Sequence, residues 1–561
     1  MSLIKSQTEK IGSIFTGNKF IVPKYQRKYG WTGLEQKALW EDIEESMRDG
    51  MPHFLGTLSF KEIKAEGLAT DTIYEIIDGQ QRITTLFILL EVLIEKLENT
   101  EIQNAQMGAI IGKENVLKLH PLGEDGIFLN KLLFHYKEIN PAEIVKRSQK
   151  FMYSAKENFL AFANSLGQQE IEEKIIFIRD NLEVLVNNIP SQAQAVKMFS
   201  SINDRGLPLR VLDKTKSILM LYSTLHLNGD RNDSINDSFE VIFDSYDDLL
   251  VFKDKLGILE RFDENTVFTH HYFSSRRLFP ETWHYRNSAN EIFSNLKLHC
   301  EKLKKDDNAL AGFINDYSSD FANFSKAYSL LIKEVYNNEQ YQKYFCRLEF
   351  AATLYPLLVR LFMQKKLDAL LQTLEVVDVR VYKLHGTTPT AAMYGLSSDV
   401  TESEMTVSDI KTRLTDFNEK FVNDYYFKQY LDDAIYDNGA TKYILSEYIQ
   451  QNISLKKYRD LTKEHIFCQD PKFDVSSYGF LQEDYNYEKN RLGNLCLLES
   501  SANKGNDPPI SKVVTYLKSS INETQNLAGE IQKFQSNFNK ENVDNRRRNI
   551  IEFCLERFKI K

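Results

Sequence analysis

The sequence predicts an α+β chain that is predominantly helical, and three observations carry that reading. Its 561 residues are several times the roughly 150 that one domain takes, so more than one core is expected. Segments with strand character fall before Asp78 and again after Asp460. Between them, most of residues 140 to 225 and 290 to 380 repeats its apolar side chains at helical spacing with few Gly or Pro. Hydrophobic residues at 42% and charged residues at 27% are a globular composition, which excludes disorder and collagen-like repeats. The pattern changes divide the chain into residues 1–220, a helical middle at 221–400, and 401–561.

The most apolar stretch, Ile83 to Ile94, is interrupted by Glu91 and is shorter than the roughly 20 residues that cross a bilayer. The opening Met1-Ser2-Leu3-Ile4-Lys5-Ser6 lacks the apolar core of a secretory signal, which points to the cytoplasm. Five cysteines without a Cys-x-x-Cys pair argue against a disulfide framework and a four-cysteine zinc site. A net charge of −9 argues against nucleic-acid binding by the whole surface. Yet Met1 to Trp31 holds six Lys/Arg against one acid, and Gln451 to Lys561 holds 18 against 15. Basic patches at both ends of an acidic chain are compatible with phosphate ligands.

Taken in order, residues 18 to 31 mix β-branched, aromatic and basic side chains around Pro23 and suit an extended segment. Residues 53 to 60 and 73 to 77 read as short strands, and Thr84 to Leu97 as a helix, which places Asp78-Gly79-Gln80-Gln81-Arg82 at a strand-to-helix junction. Trp31, Trp40 and Phe54 read as core. The acidic, Asn-rich segment 226 to 256 is expected to contain a connection between helical blocks, its Asp230, Asp233 and Asp237 in a solvated loop without the spacing of a calcium loop. His385-Gly386-Thr387-Thr388-Pro389 breaks the next helical run, and a last helix from about Asn545 carries Arg546-Arg547-Arg548. His270 and His271 show no ligand spacing and read as structural.

The junction carries chemistry. A glycine at the start of a helix lets a phosphate approach the backbone, where free N–H groups and the helix dipole favour an anion. Arg82 offers a fork of donors, Thr84 and Thr85 offer hydroxyls, and Asp78 either orients Arg82 or holds a metal or a ribose hydroxyl. No Gly-x-x-x-x-Gly-Lys-Ser/Thr is present where a P-loop would need it.

Ile77-Asp78-Gly79-Gln80-Gln81-Arg82-Ile83-Thr84-Thr85-Leu86 resembles the signature of the GmrSD-type proteins, whose N-terminal domain is related to the ParB and sulfiredoxin nucleotide-binding fold. Three more segments match in order: Ile21 to Trp31, with Tyr25, Gln26 and Arg27; His53 to Thr57; and Phe199 to Asp213, with Asn203, Arg205 and Gly206. The resemblance spans about the first 220 residues and implies a nucleoside triphosphate held by Tyr25, Gln26, Arg27, Asp78, Gly79, Gln80, Gln81, Arg82, Thr84, Thr85, Asn203 and Arg205. The residues themselves agree, since an aromatic ring, an amide and a guanidinium beside Pro23 suffice to contact base, sugar or phosphate.

A second constellation is Glu464-His465-Ile466, then Asn490-Arg491-Leu492-Gly493-Asn494-Leu495, then Asn503-Lys504-Gly505-Asn506. Phosphodiester hydrolysis needs a base for water, a divalent cation for developing charge and a scaffold for both. His465 titrates near neutrality and suits the base. Glu464 and the amide oxygen of Asn503 suit Mg²⁺ or Mn²⁺ better than zinc. Asn494 suits a bond to the backbone of the His-bearing loop. A strand with Glu-His-Ile, a loop, Asn-Leu, and a helix starting near Asn503 resembles the ββα-metal fold of HNH nucleases, as paired with the nucleotide domain in the GmrSD family. By that resemblance His465 is the general base, Asn494 the central structural Asn, Asn503 the last metal-side residue with Asn506 competing, and Glu464 a metal ligand. Cys468 and Cys496 depart from the Pro and Thr frequent there.

The resemblance implies an NTP-regulated, divalent-metal-dependent HNH endonuclease, with NTPase chemistry in the first domain, that acts on foreign or modified phage DNA as a type IV restriction factor. A nucleotide-switched DNA-binding protein with a silent HNH fold is the alternative.

Overall fold

The computed structural model describes residues 5–23, 26, 28–63, 72–113, 115–121, 123–190, 194, 210–257, 262–502 and 506–560. The chain forms two compact units, one from Met1–Asp248 with Ala289–Asn323 and one from Leu249–Ser288 with Phe324–Lys561. No helix among the described residues is long and apolar enough to cross a membrane.

The first unit is built on a mixed sheet of β1 (Lys5–Lys10), β2 (Asn18–Val22), β3 (His53–Ile63), β4 (Thr72–Asp78), β7 (Leu119–Pro121) and β8 (Leu182–Asn188), in the order β1-β8-β3-β4-β2-β7. A separate pair joins β5 (Gly112–Lys113) to β6 (Val116–Leu117). The three strands expected near the N-terminus are present at β2, β3 and β4. The helix Gln80–Glu95 follows β4 directly, and nearly every residue from Ile83 to Ile94 is buried. A helix apolar on all sides packs on all sides, which is why this apolar run is a core element. Glu91, its one acid at the centre, is buried against the Lys156 ammonium at 2.7 Å.

Three expectations are corrected. β8 lies inside the stretch read as helical; Leu182, Val184 and Val186 face the core at a period of two. The acidic segment does contain a connection, a turn at 227–231 that holds Asp230, but from Asn232 on it forms the helix Asn232–Leu256, so Asp233 and Asp237 are helical and not in a loop. Ile235, Phe239 and Ile242 are fully buried at helical spacing, and the carboxylates occupy the other faces. Phe54 is 58% exposed on β3, although Trp40 is buried as expected.

Among the described residues the second unit is helical apart from one antiparallel pair, β9 (Leu461–His465) with β10 (Leu495–Glu499). The helix Pro509–Leu517 comes next; it begins later than Asn503 because Pro508 caps it and Pro509 occupies its first turn, where a missing N–H costs nothing. His270 and His271 are buried in this unit's core, with His270 Nδ1 3.0 Å from Tyr328 Oη. The last helix, Lys540–Arg557, starts a few residues earlier than its arginine run suggested.

Candidate functional site

In the first unit the chain turns from β4 into the Gln80–Glu95 helix at Gly79, whose φ of +97° is a left-handed conformation open to glycine. A Cβ there would stand 2.2 Å from Leu58 Cδ2, so glycine is required for space as well. The junction residues then part into two groups. Arg82 turns toward β3, donates through Nη1 to Leu55 O at 3.0 Å and lies 3.5 Å from Asp78 Oδ2. It passes over Gly56, whose own Cβ would come within 2.5 Å of Nη1; Gly56 sits at the register shift between Phe54 and Thr57. Burial pulls the Arg82 guanidinium down and raises the Asp78 carboxyl, and each partially offsets the other's shift.

Gln80, Gln81 and Thr84 face the other way and line a cavity of ≈ 240 Å³ together with Gln26, Lys28 and Tyr29. Gln81 holds the opposite wall: its Oε1 accepts from Gly30 N at 2.8 Å and its Nε2 donates to Lys28 O at 3.1 Å. Gln26 Nε2 donates to Ile77 O at 2.6 Å. Thr85 is buried behind this wall, 2.8 Å from Tyr29 Oη, and donates to Gln81 O. Asp125 and Glu240 complete the lining, and Lys28 pairs with Asp244. Burial lowers the Lys28 ammonium, against the pull of Asp125. Sequence reading passed over Lys28, Asp125 and Glu240; Lys28 lies inside the Ile21 to Trp31 segment, but its acidic neighbours carry no local signal. Tyr25, Arg27, Asn203 and Arg205 lie outside the described residues.

In the second unit β9 ends on His465 and pairs it with Leu495 of β10. Glu464 and His465 project to opposite faces, as neighbours on a strand must. Glu464 turns toward the Pro509–Leu517 helix: Lys512 Nζ lies 2.7 Å from its Oε1 and 2.7 Å from the His465 carbonyl, and Tyr516 Oη lies 3.4 Å from the same Oε1. His465 turns the other way, its Nε2 3.0 Å from Asn490 Oδ1 and its ring centroid 4.4 Å from that of Tyr436. Burial pulls the imidazole down to about 4, against the hydrogen bond to Asn490, and Lys512, Lys489 and Lys463 add to the depression. The ring is therefore neutral at pH 7, the form that accepts a proton.

Asn494 is wholly buried in the turn that leads into β10. It accepts from Phe467 N at 2.8 Å, donates to Phe467 O at 2.9 Å and to Lys489 O at 2.8 Å, and its carbonyl receives Ile466 N at 2.8 Å. Both ends of the loop that leaves His465 are thus fixed to one side chain. The turn before Asn494 is held in its place by Arg546, which donates through Nη1 to Leu492 O, Gly493 O and Leu495 O at 3.2, 3.0 and 2.6 Å and pairs with Glu523 at 2.7 Å. Arg546 is buried, and Arg547 pairs with Asp432 and Asp544, so two of the three arginines of the Arg546–Arg548 run are committed to the fold. Asn503 lies outside the described residues, and Asn506 is exposed. Among the described residues no cluster of three or more His, Cys, Asp or Glu is placed to hold a metal.

Two family models match this chain: that of the GmrSD restriction endonuclease N-terminal domain at residues 11–220, and that of the GmrSD restriction endonuclease C-terminal domain at residues 415–553. The first takes in the sheet and the Gly79 junction, and the second takes in β9, β10 and most of the last helix. No curated protein matches the chain.

Proposed function

Because the chain belongs to the GmrSD-type restriction endonuclease family, we propose that it is an NTP-regulated, divalent-metal-dependent endonuclease that cuts or nicks foreign or modified DNA. The observation that carries the chemical part is the placement of His465 at the end of β9, hydrogen-bonded to Asn490 and followed by a loop that Asn494 clamps at both ends.

In this reading β9, β10 and the Pro509–Leu517 helix form an HNH-type ββα unit. His465 takes a proton from the attacking water. Asn494 holds the loop rigid, so the base stays in place. The oxygens of Glu464 and of the His465 backbone already converge on one cation, the Lys512 ammonium. That donor chemistry fits a hard cation, with Glu464 and Asn503 as its protein ligands. Bound Mg²⁺ or Mn²⁺ supplies charge neutralisation at the phosphate.

In the first unit the nucleoside triphosphate binds at the Gly79 junction, with Gln26, Gln80, Gln81, Thr84 and Lys28 around it; the family resemblance adds Tyr25, Arg27, Asn203 and Arg205 as ligands. Asp78 and Arg82 fix the turn from beneath by their mutual contact and the bond to Leu55 O. Asp125 and Glu240 repel a bare triphosphate, so the ligand enters as its magnesium complex. Nucleotide then biases the state in which the nuclease is competent.

Digestion of unmodified and phage-modified plasmid, with and without NTP and Mg²⁺ or Mn²⁺, tests this. His465→Ala removes the base and lowers cleavage by about 10²–10⁴-fold with nucleotide binding kept. Wild-type nicking by that variant overturns the nuclease reading.

A further inference from the structure

Asn490 belongs to a stretch marked in the sequence for its order and spacing, yet no role fell to it there. Its side chain bridges two groups. Nδ2 donates to Asn486 O at 3.1 Å, and Oδ1 lies 3.0 Å from His465 Nε2. The residue is held on the backbone side as well, since Asn490 O accepts from Tyr436 N at 3.1 Å and Asn490 N donates to Tyr487 O at 3.1 Å. Arg491 beside it reaches Asp432 at 3.0 Å and Glu488 at 3.2 Å, which fixes the local chain.

These bonds decide the orientation of the amide. Asn486 O is a carbonyl and only accepts, so the amide group that faces it must be the NH₂. The opposite orientation would set two acceptors against each other there. The oxygen of Asn490 therefore faces His465, and an amide oxygen only accepts. It follows that Nε2 carries the imidazole proton and that Nδ1 carries the lone pair.

From this we propose that Asn490 is a positioning residue that locks His465 in the Nε2–H tautomer, so that Nδ1 is the atom that acts as base. The inference rests on the nuclease reading above for its catalytic half; its tautomeric half does not. In the step, a water O–H breaks and the proton passes to Nδ1 while the oxygen bonds to phosphorus. The P–O bond to the leaving sugar oxygen breaks, and that oxygen takes a proton from solvent. Nε2–H stays bonded to Asn490 Oδ1 throughout, so the imidazolium formed has one partner in place and needs no reorientation.

The test uses the full chain with ¹⁵N-histidine, with the His465 signals identified by their loss in His465→Gln. At neutral pH the wild-type ring is expected to show the Nε2–H pattern, and the Nδ1–H pattern overturns the proposal without reference to any activity. Asn490→Leu is expected to mix the tautomers and to lower kcat for plasmid cleavage about 10–100-fold, as loss of an orienting partner does, with nucleotide binding unchanged. Asn490→Asp keeps an acceptor toward Nε2 but sets its other oxygen against Asn486 O, so it is expected to keep the Nε2–H pattern with a rate between those of the wild type and Asn490→Leu. An Asn490→Leu protein with pure Nε2–H and wild-type kcat overturns the assignment. Should His465→Ala cut normally, the nuclease reading falls while the tautomer result still stands or fails by the spectrum.

Discussion

Replacement of Asn494 separates shape from hydrogen bonding at the centre of the β9–β10 pair. Asn494→Ala removes three bonds at once, leaving Phe467 N, Phe467 O and Lys489 O without their partner in a place where the side chain is fully buried. A buried polar group left unsatisfied costs about 1–3 kcal/mol, so three such groups amount to roughly 3–6 kcal/mol after partial relaxation. Asn494→Asp keeps the shape and one acceptor toward Phe467 N. It has no N–H to offer the two carbonyls, however, and sets its charge against both. The aspartate variant is therefore expected to be no more stable than the alanine variant, despite being isosteric with the native residue. Hydrogen exchange read by mass spectrometry on peptides covering 461–467 and 494–499 measures this locally. Protection there should fall by about 10²–10⁴-fold in both variants, while the first unit's sheet keeps its native protection. Native protection of β9 and β10 in Asn494→Asp would show that the hydrogen bonds assigned to Asn494 do not hold the loop.

Two further perturbations test other parts of the fold. Gly79→Ala combines a φ of +97° with a Cβ at 2.2 Å from Leu58 Cδ2, so the first unit should lose about 2–4 kcal/mol; an unchanged melting temperature with full nucleotide binding refutes the geometry of the turn. Burial pulls His270 down to about 3 from the usual 6.5. A depressed imidazole stabilises the fold fully above pH 6.5 and loses that contribution as the pH falls toward 3, at up to about 1.4 kcal/mol per pH unit for one proton. His270→Phe should therefore flatten the dependence of the urea midpoint on pH between 6.5 and 4, and an identical slope in the two proteins removes His270 as its source.

What was legible in the sequence was local. The change from alternation to helical spacing at Asp78–Arg82 and the order Glu464, His465, Asn494 both gave the correct elements, because each depends on neighbours within one strand, turn or helix. The hydrogen bonds of Asn494 to the His-bearing loop also followed from its residue type and place. Within 226 to 256 the connection at 227–231 was legible, but the helix after it was not, because the acidic composition of the segment hides the apolar face of Ile235, Phe239 and Ile242. The ion pairs Lys28–Asp244 and Lys512–Glu464 join residues far apart in the chain, and no spacing rule reaches across such distances. The same holds for the parting of Asp78 and Arg82 from Gln80, Gln81 and Thr84, which depends on the gap that Gly56 leaves on a neighbouring strand.

Arg546 lends the nuclease a schedule. Its three carbonyl partners precede it by 51 to 54 residues in the chain, so on the ribosome the turn at Asn494 is made before the guanidinium that holds it. At about 5–20 residues per second the interval is several seconds. During that time the nascent chain already carries His465 but not the brace of its loop. The brace of the loop is supplied by the helix Lys540–Arg557, when the sheet of the first unit has long been synthesised.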